Sequence, residues 1–238
     1  GKISLSYIKD AFKFGSGDFV SIISTFVNEK MILLVLNFFG GVIYVSLYTL
    51  AQSLTERIYL LSDAVGTMLM PKISEDPESN SSYITPTVFK ITIVVTFFIA
   101  LILAIFANSI VTIMYTKEFA GSIIIMQFLL VAVIFSSGWR VISQDLNGRG
   151  LTKFTAIINV MLVIISLSLA TILLPKIGLV GAAIGSIIAY VFASFIGVIF
   201  FVRNTDKIKF IMMFSFSKNE VLIFKQLFKS LFTRSNRQ

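Results

Sequence analysis

The sequence predicts an all-α polytopic membrane protein, a bundle of six transmembrane helices with an amphipathic tail, and three observations carry that reading. The 238 residues are 56% hydrophobic and only 13% charged, with a mean hydropathy of +0.92, far more apolar than a soluble domain of this length. Stretches of roughly 20 apolar residues, the length that crosses a bilayer as a helix, recur at about 18–39, 42–70, 88–114, 119–139, 154–174 and 178–202. Helix punctuation falls between them: Gly40-Gly41, Pro71, Pro86, and Pro175 with Gly178, which read as helix ends. Three parts result, namely a lead-in over 1–17, the bundle over 18–202, and a basic tail over 203–238.

The lead-in carries Lys2, Lys9 and Lys13 but no charged segment followed by a short apolar core and a cleavage site, so it is not a signal peptide. Opening on Gly1-Lys2-Ile3 without a methionine, the chain is expected to be a fragment of something longer. Two connections are long: the acidic stretch from Pro71 to Thr85, and the tail. With both termini on one side of the membrane, sixteen of the twenty Lys and Arg fall on that side, against Lys117 and Lys176 opposite and Lys30 and Arg57 inside. The positive-inside rule then makes both termini cytoplasmic, with Trp139, beside Arg140, in the interfacial belt. Asn80-Ser81-Ser82 matches a glycosylation sequon on the wrong side for glycosylation, and reads as chance.

The tail spaces Val221, Phe224, Leu227, Phe228 and Leu231 at helical intervals, with Lys225 and Lys229 between them. That pattern suits an amphipathic helix lying on membrane lipids. The net charge of +8 is loop asymmetry across a bilayer rather than a nucleic-acid surface. With no Cys and no His in the chain, thiol and imidazole chemistry, disulfides and the usual zinc or haem ligands are absent, and no cofactor or metal is expected.

In the last span Gly181, Gly185, Ala189, Ala193 and Gly197 stand four apart. Small residues at that interval let membrane helices pack closely, so the stripe is a packing feature. The first two spans differ, because each carries an acid-base pair halfway along: Glu29-Lys30 and Glu56-Arg57. A charge at that depth costs a few kcal/mol even on lenient insertion scales (~2.5–3.5), so such groups face a bundle interior or a water-filled cavity. At about 100° per residue, Asp18, Ser21, Thr25, Asn28 and Glu29 share one face of the first helix. Tyr48, Gln52, Thr55, Glu56, Tyr59 and Asp63 share one face of the second. Lys30 lies off the first polar arc, and Arg57 lies roughly opposite Tyr48, so only their long stems would bring them to a cavity.

Two readings of the pairs stand side by side. The Gly40-Gly41 turn makes the helices antiparallel, so Glu29 with Arg57, or Lys30 with Glu56, can form a structural buried bridge; alternatively, the four line a polar transport cavity. Asp18 and Asp63, near helix ends, read as solvated or capping residues unless they join that cavity. Acids such as Glu29 and Glu56 could in principle act as a general acid and base, but no nucleophile, metal cluster, phosphate-cradling glycine loop or membrane-protease motif accompanies them; the chain is not expected to be an enzyme.

Four segments carry a family resemblance: YIKDAFKFG (7–15), VSLYTLAQSLTERIYLLSDAVGTMLMPKIS (45–74), SQDLNGRGLTKF (143–154) and IGLVGAAIGSIIAY (177–190). Together they resemble the C-terminal half of a Wzx-type polysaccharide flippase, in the multidrug/oligosaccharidyl-lipid/polysaccharide exporter superfamily. The resemblance implies the second of two six-helix bundles flanking a central cavity, with the N-terminal six-helix half missing. It implies a parent protein in the bacterial cytoplasmic membrane that flips undecaprenyl-diphosphate-linked sugar units for capsule, O-antigen or exopolysaccharide assembly, alongside a polysaccharide polymerase. Such a lipid-linked oligosaccharide diphosphate is anionic, and a buried Lys30 or Arg57 would offset its lost hydration, with Glu29, Glu56, Asn28, Gln52 and Tyr59 completing the binding site. Ion coupling would fall to Glu29, Glu56 or Asp63. Two rivals remain: a cation-coupled multidrug exporter of the same superfamily, expected to show acids without matched cations, and a non-transporting membrane scaffold in which the pairs only lock helices together.

Overall fold

The computed structural model describes residues 5–75, 77–205 and 210–215, and within them the chain is all helix and turn. The order is α1 (Leu5–Glu56), α2 (Tyr59–Glu75), α3 (Pro77–Met114), a short 3-10 turn (Lys117–Ala120), α4 (Gly121–Gly148), α5 (Thr152–Ile177), α6 (Leu179–Arg203) and a second 3-10 turn (Phe210–Met213). Five of these helices are long and apolar enough to cross a membrane, so the protein is a multi-pass membrane protein. The tail positions Val221 to Leu231 lie outside the described residues, as do the side chains of Asp18 and Asn80.

α1 is two arms rather than one rod. Gly41 sits at φ 62°, ψ −158°, a conformation that only a residue without a Cβ adopts readily, and the chain reverses there. Asn28 and Gln52 prove the reversal. On one continuous helix they would stand about 36 Å apart, yet they line the same pocket. The arm 42–56 is then continued by α2 after a break at Arg57–Ile58. That break falls inside the second hydrophobic stretch, where the sequence predicts an uninterrupted span and offers no Gly or Pro.

Gly178 repeats the Gly41 solution between α5 and α6, at φ 64°, ψ −152°. The prolines behave otherwise than the sequence suggests. Pro71, Pro86 and Pro175 all lie inside helices, and most of the acidic connection is helical, as the end of α2 and the start of α3. Membrane helices tolerate the lost hydrogen bond because neighbouring groups re-satisfy the freed carbonyls. α4 also runs nine residues past 139, to Gly148. Trp139 is buried inside the bundle, and Arg140 lies about 12 Å inside the helix end.

The small-residue stripe packs α6 against α5 and α4, and all five of its members are buried. A methyl group added at Gly181 would fall 2.6 Å from the backbone of Leu173, and one at Gly197 would fall 2.6 Å from the Trp139 ring. The opposite ends of the helices are stitched by polar side chains. Buried Asp145 accepts a hydrogen bond from the Thr85 hydroxyl and pairs with Arg149 Nε at 2.7 Å. Arg149 donates in turn to the Asn204 carbonyl at 2.8 Å and to Thr205 Oγ1. Lys90 donates to the carbonyls of Met212 (3.2 Å) and Ser215 (2.8 Å), which docks the start of the tail on α3. Breaking one partner of a buried pair such as Asp145–Arg149 strands a charge at a cost of about 3–5 kcal/mol.

Candidate functional site

Two polar cavities lie inside the bundle and share Asn28 and Tyr190 in their walls. The smaller, about 40 Å³, is enclosed by both arms of α1 and closed by α2, α4, α5 and α6. Its polar lining is Asn28, Glu29, Tyr48, Gln52, Thr55, Glu56, Tyr59, Ser166 and Ser186. Gln52 Nε2 donates to Glu56 Oε1, Thr55 turns its hydroxyl onto its own helix, and the Ser166 hydroxyl is buried with no hydrogen-bond partner. The larger cavity, about 210 Å³, is lined by Ser21, Ser24, Thr25 and Asn28 of α1, Asp63 of α2, Trp139, Arg140, Ser143, Gln144 and Asn147 of α4, and Thr155 and Asn159 of α5.

The helical periodicity of the first two spans therefore has a direct structural counterpart. Each polar arc turns inward, and apart from Asp18, whose side chain is not described, every residue on the two arcs lines one cavity or the other. The acid-base pairs, by contrast, are split. Glu29 and Glu56 face the smaller cavity, whereas Lys30 and Arg57 are exposed on the outside of the bundle. Lys30 Nζ stands 5.6 Å from the Phe26 ring centroid, on a face that also exposes Phe19, Ile22, Phe26 and Leu34. Among the described residues no ion pair joins Glu29 or Glu56 to Lys30 or Arg57. Neighbours on a helix point about 100° apart, so a pair that looks like one dipole in sequence serves two surfaces.

Among the described residues, the cation that lines either polar cavity is Arg140. Its Nη1 pairs with Asp63 Oδ1, and its Cζ lies 4.2 Å from the Tyr59 ring centroid, within cation–π range. Both partners sit just after the break at Arg57–Ile58, so Arg140 fastens the start of α2 to α4. Non-helical backbone at membrane depth persists only where it is buried in protein or lines a cavity, and here the break abuts the two cavities. Elsewhere in the larger cavity, Trp139 Nε1 donates to Asn159 Oδ1 at 2.8 Å, and Asn159 Nδ2 donates to Ser21 Oγ at 3.1 Å. Asn28 Oδ1 is buried and accepts no hydrogen bond.

Arg140, Gln144, Asn159 and Tyr190 are the functional candidates that sequence reasoning missed. A signal existed: Ser136, Arg140, Ser143, Gln144 and Asn147 recur at helical spacing, but a span ended at 139 cuts that arc off. Among the described residues, no group of three or more His, Cys, Asp or Glu stands close enough to hold a metal ion.

No protein-family model matches the sequence, and no curated protein matches it either. Solved structures do match in fold. One is the crystal structure of a MATE point mutant, at 18% identity and a TM-score of 0.71, covering 84% of this chain and 46% of its own. Another is the outward-facing form of a multidrug resistance MATE family transporter of the MOP superfamily, at 15% identity and a TM-score of 0.68, covering 90% of this chain and 49% of its own. A third is the lipid II flippase MurJ in an inward closed conformation, at 18% identity and a TM-score of 0.65, covering 100% of this chain and 57% of its own. The chain spans about half the length of each, and its fold is similar to that of the matched half of these structures.

Proposed function

We propose that the chain is the second six-helix half of a flippase for lipid-linked oligosaccharide diphosphates, acting in the bacterial cytoplasmic membrane with both termini in the cytoplasm. The observation that carries this reading is the split of the two acid-base pairs. Lys30 and Arg57 lie eleven and sixteen residues from the Gly41 turn, at depths within about 8 Å of each other. Both project from the outside of the bundle, where exposure to lipid would cost a few kcal/mol for each. A facing half that encloses an aqueous cavity relieves that cost, and a diphosphate crossing the cavity meets two cations. The fold shared with a lipid II flippase over the whole chain supports the same class of cargo.

Behind the cations, Glu29 and Glu56 are the candidates for ion coupling. Asp63 is a weaker one, because Arg140 already neutralises it. The same two glutamates favour a second reading, a cation-coupled multidrug exporter, since no Lys or Arg lines their cavity among the described residues and two of the fold neighbours are MATE transporters.

The test is complementation of a flippase-null bacterium by the full-length parent carrying Lys30→Ala, Arg57→Ala or both, with membrane levels checked by immunoblot. The expected outcome is a tenfold or greater loss of surface polysaccharide in the double variant, with lipid-linked intermediate accumulating at normal protein level. Full complementation by the double variant would sink the reading and leave the drug exporter standing.

A further inference from the structure

Three features outside the Lys30/Arg57 face invite a role: the Asp145–Arg149 node, the break at Arg57–Ile58, and the larger cavity around Arg140. The node is fully engaged by partners from α3 and α6, and the break is already explained by the cavities it abuts. The larger cavity is different, because it holds groups built for a ligand and not used by the protein. We infer that this cavity is a subsite for a single uncharged sugar ring, held by neutral hydrogen-bonding side chains inside the lobe; the assignment rests on the flippase reading above.

Charge comes first. Among the described residues, Arg140 and Asp63 are the only side chains with formal charge in its lining, and they are paired with each other. The cavity therefore offers an incoming group no net charge, which disfavours both a free metal cation and a lipophilic cation. Hydrogen-bonding capacity is the second argument. Asn28 Oδ1 is sealed from solvent with no donor, and the Gln144 amide has no hydrogen-bond partner among the described residues. An unused buried acceptor costs about 1–3 kcal/mol, and the hydroxyls of a sugar supply donors and acceptors in the mixed pattern that two amides require.

Size is the third. A volume of about 210 Å³ is below the roughly 300–1,000 Å³ typical of drug-sized ligands, yet it has room for one ring. Asn159, pinned between Trp139 Nε1 and Ser21, keeps the wall rigid. This site is separate from the outward Lys30 and Arg57, so the diphosphate and a sugar would be read by different surfaces of the same lobe.

Trp139 lines the cavity and is the only tryptophan of the chain, which makes it a reporter. The experiment uses the purified full-length parent in nanodiscs, with any tryptophan outside this chain replaced by Phe. Trp139 fluorescence is titrated with D-glucose, D-galactose, N-acetyl-D-glucosamine and L-rhamnose, and in parallel with sodium chloride, cyclohexanol and tetraphenylphosphonium. The expected result is a saturable change with at least one sugar at about 1–100 mM, the affinity range of a handful of hydrogen bonds, and none with the three controls. Asn28→Ala and Gln144→Ala should each weaken the response about five- to tenfold, in protein that elutes as the same monodisperse peak as the unmodified parent. The titration of the unmodified protein needs no variant to fold. Silence with all four sugars overturns the subsite, and so does a saturable response to any of the three controls. Either result leaves the flippase reading to its own test, because that test reads lipid-linked intermediate and depends on Lys30 and Arg57.

Discussion

The hairpin turned at Gly178 and the hairpin turned at Gly41 use nearly the same backbone conformation, φ/ψ of 64°/−152° and 62°/−158°. What lies between their arms is opposite in kind. Along α6, the stripe from Gly181 to Gly197 brings backbones into contact: Gly185 has the Ala170 nitrogen and the Ser166 carbonyl oxygen just beyond the place of a missing methyl group. Along α1, the facing residues are Asn28, Glu29, Gln52 and Glu56, and they hold open a cavity. In a membrane no hydrophobic drive pulls helices together, so association depends on packing and hydrogen bonds. Residue size and polarity along the two facing stripes therefore decide whether a hairpin becomes a strut or a binding wall, and one lobe contains both.

The sharpest way to break this comparison is to add a methyl group to each region. Gly181→Ala meets the rigid backbone of Leu173 and should cost about 2–3 kcal/mol. Gly66→Ala, on α2, meets the flexible Gln144 side chain. There the helix propensity gained by Ala, about 1 kcal/mol, offsets most of the crowding, and a net change under about 1 kcal/mol is expected. The unfolding midpoint of the purified full-length parent measures both. Equal midpoints for the two variants would mean that the strut and the binding wall do not differ in rigidity.

How much of this was legible in the sequence follows the same division. The strut was legible because glycine and alanine at fixed intervals have one physical meaning in a membrane helix, and Gly41 and Gly178 because the absent Cβ is what those turns require. The inward arcs were legible because a polar residue in an apolar helix needs a polar partner. The break at Arg57–Ile58 was not, since no Gly or Pro marks it and it depends on the cavities beside it. Arg140 was missed because a window of apolar residues stops at the first charge, whereas the real helix carries that charge inward to Asp63. Pro71 and Pro86 misled for the converse reason: their local cost of roughly 3 kcal/mol in a soluble helix is offset when neighbouring groups satisfy the freed backbone.

A smaller effect sharpens the other half of the comparison, the shared turn. If Gly41 and Gly178 are equivalent backbone devices, Gly41→Ala and Gly178→Ala should each cost about 1–2 kcal/mol through strain at positive φ. The two costs should also agree to within about 0.5 kcal/mol, since nothing lies within 4 Å of an added methyl group at Gly41 and only the Tyr44 hydroxyl, at 3.7 Å, at Gly178. Midpoints that differ by much more would show that one turn is held by its surroundings rather than by its own dihedrals.

The smallest expected effect concerns a side-chain bridge that joins the two hairpins. Tyr48 on the second arm of α1 and Ser186 on α6 place their oxygens 3.4 Å apart, with both side chains buried. The contact is long for O–H···O, whose usual range ends near 3.0 Å, and Ser186 also donates to the Ala182 carbonyl at 3.2 Å. Its net worth is accordingly at the low end for a hydrogen bond, about 0.5 kcal/mol. Tyr48→Phe keeps the ring that fills the core and removes only the hydroxyl, so the unfolding midpoint should fall by about 1–2 °C, given that about 1 kcal/mol moves it roughly 2–4 °C in a domain of this size. A larger fall would mean that the bridge fastens the cavity wall to the strut. A rise would mean that burying the phenol costs more than its long contact returns, and that the two hairpins are held together by packing alone.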